Sequence, residues 1–390
     1  MRRLDIAWRC LRSCASPGRS SFASFAPYGL AIVRRAEGLH CRASRLYDPS
    51  PVCYTECVQG GDAVKRLPVA LLALLLPWGA AMAATTVYTF PYDVPPKALT
   101  DTVMAVVEGE TDVRLTFGGD CTLGGEASGS AKRFSRFIAA EGYAYPFANL
   151  RPLFAADDLT LVNLEGVLSE RDLPRVRKQY NFKGATGYTA ILTEGSVECV
   201  SLANNHALDY GAAGKRDTVA ALTAAGLAFV DDTYVTVLEK DGVRVGFTGS
   251  GLQLNRDRFL AQAKALRDLG CGALVHVMHT GVEYADAPTA GQMATAKFLA
   301  ENGVTLVVGH RPHVAKGLAT FGRTLVAYSL GNCVFGGNTD PRDYDAYVLG
   351  VTLRFTDGIA ERLDATAWPI RVSGAKRNND YQPMLLTGDA

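Results

Sequence analysis

From residue 112 onward, short apolar runs recur along the chain, and each ends in a polar corner that often contains glycine. The runs occupy 113–117, 159–162, 197–202, 243–248, 273–278, 304–308 and 324–329. Continuous apolar runs of this length, without strict alternation, suit strands buried on both faces. Between several of them lie helix-like stretches at 131–141, 212–226, 256–269 and 289–302. Strand–helix alternation predicts an α/β layered domain with parallel pairing. Residues 346–372 alternate instead. With the turn pair Asp357-Gly358 they predict antiparallel strands.

No linker or low-complexity stretch interrupts 112–372, so this span reads as one domain. Residues 84–111, with Pro91, Pro95 and Pro96, read as an irregular lead-in, and 373–390 as a C-terminal tail. Residues 64–83 carry Lys65 and Arg66, an apolar stretch ending near Leu76, and an A-x-A site at Ala81-Met82-Ala83. That is the order of a secretory signal peptide, and the apolar stretch is short for a membrane span. Residues 1–63 are rich in Arg, Ser and Cys and show no sustained period. They are read as an upstream extension from a start placed too early, Arg- and Ser-rich transit peptides being the other reading. The expectation is an exported protein of the periplasm or cell surface.

Composition adds limits. The 390 residues are 48% hydrophobic and 20% charged, which suits a globular chain with a substantial core. Net charge is +1, so no strong field draws the chain to nucleic acid, and none is expected as a partner. Five of the nine cysteines precede residue 64; Cys121, Cys199, Cys271 and Cys333 are scattered singly. This is neither a disulfide scaffold nor a zinc ribbon. The four read as core residues, with a disulfide in an oxidising compartment left open.

The corners hold the chemistry. In open α/β sheets, ligands bind beyond the carboxyl ends of the strands. Five of the seven runs end there in residues that bind metals: Asp120, Glu165, Asn205-His206, His279, and His310 with His313. The chain has only six histidines, and four of them fall at these corners. Carboxylate, imidazole and amide oxygen together suit divalent Mn, Fe or Zn. Two such ions, about 3.5–4 Å apart, can support displacement at phosphorus. A free histidine beside them would serve as general acid. His276, three residues before His279 on the same run, points to the other face and reads as a core histidine.

Gly119-Asp120, Asn163-Leu-Glu165, Ala203-Asn-Asn-His-Ala-Leu-Asp-Tyr-Gly211, His279-x-Gly-x-Glu-Tyr284, Gly309-His-Arg-Pro-His313 and Tyr328-Ser-Leu-Gly-Asn332 resemble, in order and spacing, the motif set of the CapA family of poly-γ-glutamate capsule proteins. That family is similar in fold to calcineurin-like metallophosphoesterases. The resemblance covers about residues 112–372. It implies a four-layer α/β/β/α sandwich and a centre of two divalent ions.

By the resemblance, Asp120 matches the first-strand ligand, Glu165 the bridging position and Asn205 the amide ligand. His279 and His310 match ligands of one ion, and His313 a ligand of the other. His206 matches the histidine that touches substrate, with Asp209 placed to orient it. Asn204, Glu283, Arg311 and Asn332 are candidates to contact substrate. Asn204 and Asn332 also suit bracing roles in their own turns, Glu283 a solvated loop charge, and Arg311 an exposed cation.

The departures are Thr122, where a histidine is usual, Ala207, where an acid is usual, Thr280 for Trp and Cys333 for Phe. Two functions follow as expectations. One is an exported protein in the synthesis or export of poly-γ-glutamate or another capsule polymer, working beside membrane-bound synthesis proteins. The other is an active hydrolase of phosphoesters or γ-glutamyl amides. The lost imidazole at Thr122 favours the first and the Asn205-His206 pair the second. An anionic polymer or a phosphoester is the expected substrate in either case.

Overall fold

A computed structural model describes residues 85–101, 109–127, 129–375 and 377–386, all within one compact unit. The expected extension at 1–63 and signal peptide at 64–83 lie outside the described residues. No helix among the described residues is long and apolar enough to cross a membrane.

The apolar runs form strands that divide between two sheets. The seven-stranded sheet has the order Thr86–Pro91, Tyr234–Lys240, Val243–Ser250, Ala273–His279, Leu306–His310, Thr324–Leu330, Ala315–Phe321. The eight-stranded sheet has the order Met384–Leu385, Ile359–Arg371, Asp345–Thr356, Glu110–Thr122, Leu159–Leu164, Cys199–Ser201, Ala228–Val230. A further strand, Asn332–Phe335, runs parallel to the end of Glu110–Thr122. The central pairs are parallel, as expected for runs buried on both faces.

Three apolar cores separate four layers. Val113, Leu115, Phe117 and Leu161 of one sheet meet Phe247, Val275, Val277 and Val308 of the other in a core between the sheets. The far side of the eight-stranded sheet is covered by helices Ser130–Glu141, Thr189–Glu194 and Gly211–Ala224, through Phe134, Ile138, Ile191, Leu192 and Leu222. Phe134 and Ile138 are four residues apart, so they share one helix face. The far side of the seven-stranded sheet is covered by Arg256–Asp268 and Ala290–Glu301, through Phe259, Ala263, Leu266, Ala296 and Leu299. The Asn255 side chain caps the first of these helices, and a Thr289–Gln292 capping box starts the second. The result is an α/β/β/α sandwich.

Three expectations change. The 84–111 segment is not wholly irregular: Thr86–Pro91 pairs with Tyr234–Lys240 as an edge strand, where prolines are tolerated. The 373–390 tail adds Met384–Leu385 to the other sheet and buries Tyr381 completely. The first run does not stop at its glycines. Glu110–Thr122 is one strand, with a register shift between Phe117 and Asp120. A Cβ on Gly119 would lie 2.2 Å from the Gly331 carbonyl oxygen, so glycine is required for that close approach. At the other end, Asp345–Thr356 and Ile359–Arg371 form the expected hairpin. Asp357 and Gly358 take φ of 50° and 81°, as the favoured two-residue turn demands.

Candidate metal centre

Register brings the strand ends together. His279 lies level with His310 in the seven-stranded sheet. In the other sheet Asp120 lies level with both Asn163 and Asn332. The two groups face one another between the sheets. Asp120 Oδ1 is 3.2 Å from His310 Nδ1 and 3.9 Å from His279 Nδ1, and Oδ2 is 3.1 Å from His313 Nδ1. Glu165 Oε1 is 3.6 Å from His279 Nε2, 3.7 Å from His206 Nε2 and 3.9 Å from His313 Nε2. Asn205 Oδ1 lies 2.7 Å from His279 Nε2. All seven residues of the expected constellation therefore converge.

The turn after Leu306–His310 is strained. Arg311 and His313 take φ of 94° and 58°, and Tyr284, whose amide donates to the Pro312 carbonyl, takes 59°. Left-handed backbone at non-glycine residues costs about 1–3 kcal/mol each and persists where surrounding contacts hold it. Here those contacts are visible. The Arg311 amide donates to Asp120 Oδ2 at 3.2 Å, and His313 Nδ1 lies 2.9 Å from Asn332 Oδ1.

The electrostatics follow from burial. Asp120, Glu165, His279 and His310 have no solvent exposure. Burial alone would raise the Asp120 carboxyl, but its contacts with His310 and His313 together hold it well below the usual carboxylate range. Glu165 has no hydrogen-bond partner, and burial pushes it up to about 8. Burial also holds the His279 imidazole well below its ordinary value. His313 goes the other way. Burial opposes its charge, but Glu165 and Asp120 raise it to about 9.

Both Glu165 oxygens, both His310 ring nitrogens and Arg311 Nη1 are buried without a hydrogen bond. The 3.2 Å contact of His310 with Asp120 therefore lacks hydrogen-bond alignment. Buried polar groups are rarely left unpaired, because each orphan costs about 1–3 kcal/mol. The carboxylate oxygens and imidazole nitrogens among them suit a cation, and the Arg311 donor suits an anionic group. Asp120, Glu165 and His313 each offer an atom within 4.8 Å of the others, so this cluster can hold a metal ion.

The remaining candidates sit around it. His206 Nδ1 lies 2.7 Å from Asp209 Oδ2, and its ring stacks on Phe182 with centroids 4.3 Å apart. Asn204 braces its loop against the strand that carries Asn163. Its Nδ2 donates to Asn163 Oδ1 and the Leu164 carbonyl, and its Oδ1 accepts from the His206 amide. Asn332 is likewise occupied by His313. Glu283 is about half exposed and stands 3.5 Å from Arg311 Nη2 at the rim. Arg311 is not an exposed cation: its Nε donates to the Gly281 carbonyl. Thr122 is buried, with no partner for its hydroxyl. His276 is held by Thr248 and Ser250, each at 2.8 Å, and burial lowers it to about 3, so it is a neutral core histidine.

Three contributors escaped the sequence reading. Asn163 Nδ2 donates to Asp120 Oδ1 at 2.8 Å and lies 3.2 Å from His279 Nδ1. Its position two residues before Glu165, on the same strand face, was the available signal. Lys178 lies 3.2 Å from His206 Nδ1 and pairs with Asp209, while Phe182 stacks on the ring. Both lie outside the strand-end corners, so no spacing marks them.

Fold and centre together define a class: an α/β/β/α sandwich whose strand ends gather a histidine–carboxylate cluster able to hold metal. Within that class, the family model described as bacterial capsule synthesis protein PGA_cap matches residues 114–251 and 230–337, more than half of the chain, and the chain belongs to this family. It is similar to the capsule biosynthesis protein CapA of Bacillus anthracis, 29% identical over 60% of this chain and 63% of that protein. The PGA biosynthesis protein CapA of Bacillus subtilis is 27% identical over 50% of this chain and 58% of its own. A probable polyglutamine synthesis accessory protein of Mycobacterium tuberculosis is 28% identical over 46% of this chain and 56% of its own. The matches thus span less than two thirds of each relative.

Proposed function

We propose that this protein acts in the synthesis or export of poly-γ-glutamate or a similar anionic capsule polymer, outside the cytoplasm, through a metallophosphoesterase-type centre holding two divalent transition ions, Mn, Fe or Zn. Membrane-bound polymer synthesis proteins are its proposed partners. The observation that carries the reading is the orphaned Glu165 carboxylate, ringed by His206, His279 and His313 at 3.6–3.9 Å. Family membership directs it to capsule polymer.

Asp120, Glu165, Asn205, His279, His310 and His313 would hold the ions. When bound, the ions would supply Lewis acidity and a nucleophilic water. Arg311, whose Nη1 is buried without a partner, would meet an anionic group entering from the rim. Asn163 fixes Asp120 and His279 in position, and Asn332 fixes His313.

The second reading, hydrolysis of a phosphoester or γ-glutamyl amide, is favoured by one geometry. Asp209 holds His206 Nδ1, so Nε2 is left facing Glu165 and can deliver a proton to a leaving group. Metal analysis of the purified protein, followed by a screen of phosphoesters and γ-glutamyl peptides, tests both readings. Metal without turnover on any substrate would leave the accessory role. Protein that binds no divalent ion would overturn the proposal.

A further inference from the structure

Cys121 directly follows Asp120, and Cys333 directly follows Asn332. In the parallel ladder Asn332 lies level with Asp120, and Phe335 with Thr122. The three steps from Asn332 to Phe335 oppose two from Asp120 to Thr122, so Cys333 and Val334 together face Cys121. Successive strand residues point to opposite sides. Asp120 and Asn332 face the metal centre, and the two cysteines face away from it. Both cysteines are fully buried in the same core, under the helices that cover the eight-stranded sheet. Cys199 lies in the core between the sheets and Cys271 in the core of the other helical layer. Among the described residues, only Cys121 and Cys333 share a core.

The spacing suits a covalent link. Neighbouring strands lie about 4.7–4.9 Å apart. A disulfide spans Cα separations of about 4.4–6.8 Å. Both thiols are free and buried in the structure, and Cys121 Sγ donates to the Gly119 carbonyl. A buried pair of this kind is inert once the protein has folded, so a bond between them would form during folding.

We propose that Cys121 and Cys333 form a disulfide that clamps the strand carrying Asp120 to the strand carrying Asn332. Each thiol gives up a proton and an electron as the Sγ–Sγ bond forms. The oxidant is a disulfide donor, such as oxidised glutathione or a thiol oxidoreductase, whose own S–S bond is broken to yield two thiols. The clamp sits one residue from Asp120, and one residue from the Asn332 that holds His313. It is independent of what the centre does chemically.

The test uses the full chain refolded in a mixture of oxidised and reduced glutathione. The protein is alkylated after denaturation, without reductant, then digested and mapped by mass spectrometry. The expected result is a peptide linking Cys121 to Cys333, with Cys199 and Cys271 alkylated. Alkylated Cys121 and Cys333 in most molecules, or either one joined to an upstream cysteine, would overturn the proposal. A second measurement reads the clamp. Reductant should lower the thermal midpoint of the wild type and leave that of a Cys121→Ala/Cys333→Ala variant unmoved. A linked wild type whose midpoint ignores reductant would show that the bond clamps nothing. If the variant does not fold, the peptide map of the wild type decides alone.

Discussion

Asp209 Oδ2 lies 2.7 Å from His206 Nδ1, while the opposite ring nitrogen of His206 points at Glu165 Oε1 from 3.7 Å. The carboxylate thus fixes which edge of the ring faces the centre, and Phe182 fixes the plane of the ring. Nε2 is the ring nitrogen of His206 that faces the centre. His206→Ala should therefore keep its metal while losing about 10²–10⁴-fold of any turnover, the usual contribution of a proton donor. Metal analysis and activity on the same preparation check this. Loss of one metal equivalent, restored by adding Thr122→His, would instead make His206 a ligand replacing the imidazole absent at Thr122.

Asn163 joins three parts of the centre: Asp120, His279 and the Asn204 loop. Partners that orient ligands typically contribute about 10–100-fold in metal affinity or activity. Asn163→Ala should weaken metal binding by that order without unfolding the chain. Competition against a metal-sensitive dye measures it. Unchanged affinity would show that Asp120 and His279 hold their positions unaided.

His279, His310 and His313 sit where apolar runs stop, and runs of that kind mark strand ends from sequence alone. Lys178 lies in an irregular segment and Phe182 opens the short strand Phe182–Gly184, and only the folded chain brings them to His206. Nothing in the local pattern of residues 170–183 encodes that return. The helices were legible as helix-like stretches between the apolar runs, although only Arg256–Asp268 and Ala290–Glu301 of the four carry a side-chain cap. The Thr86–Pro91 strand was hidden because its prolines read as breaks, and only an edge position makes them tolerable.

His279 and His310 come from neighbouring strands, level in register, and both are fully buried. Both ring nitrogens of His310 are unpartnered, and His279 would turn Nε2 from Asn205 to a bound ion. His279→Ala and His310→Ala should each remove most of the bound metal, with the fold retained by the three apolar cores. Metal content by mass spectrometry, beside circular dichroism, checks both halves. Full metal content in both variants would remove these residues from the ligand set.

Far from the centre, at the start of Leu159–Leu164, Asp157 and Glu198 converge on Thr160. Glu198 Oε2 accepts from the Thr160 amide and Asp157 Oδ2 from its hydroxyl, each at 2.8 Å. Burial pushes Asp157 up to about 6 and Glu198 up to about 7. Their ordinary values are 3.8 and 4.5, so the folded state holds protons that the unfolded chain releases. The stability contributed by these neutral forms is fully present below the unfolded values. It is lost as pH rises through about 6 to 7. Glu198→Gln keeps an acceptor for the Thr160 amide and stays neutral at every pH. The variant should match wild type near pH 5 and exceed it at pH 8. The gain should be about 1–2 kcal/mol, the full shift discounted for partial exposure. That corresponds to a few degrees in melting temperature for a domain of this size. Other titrating groups, Glu165 and His313 among them, are common to both proteins and cancel in the difference. A gap between variant and wild type that stays constant from pH 5 to pH 8 would show that Glu198 is already ionised in the folded protein.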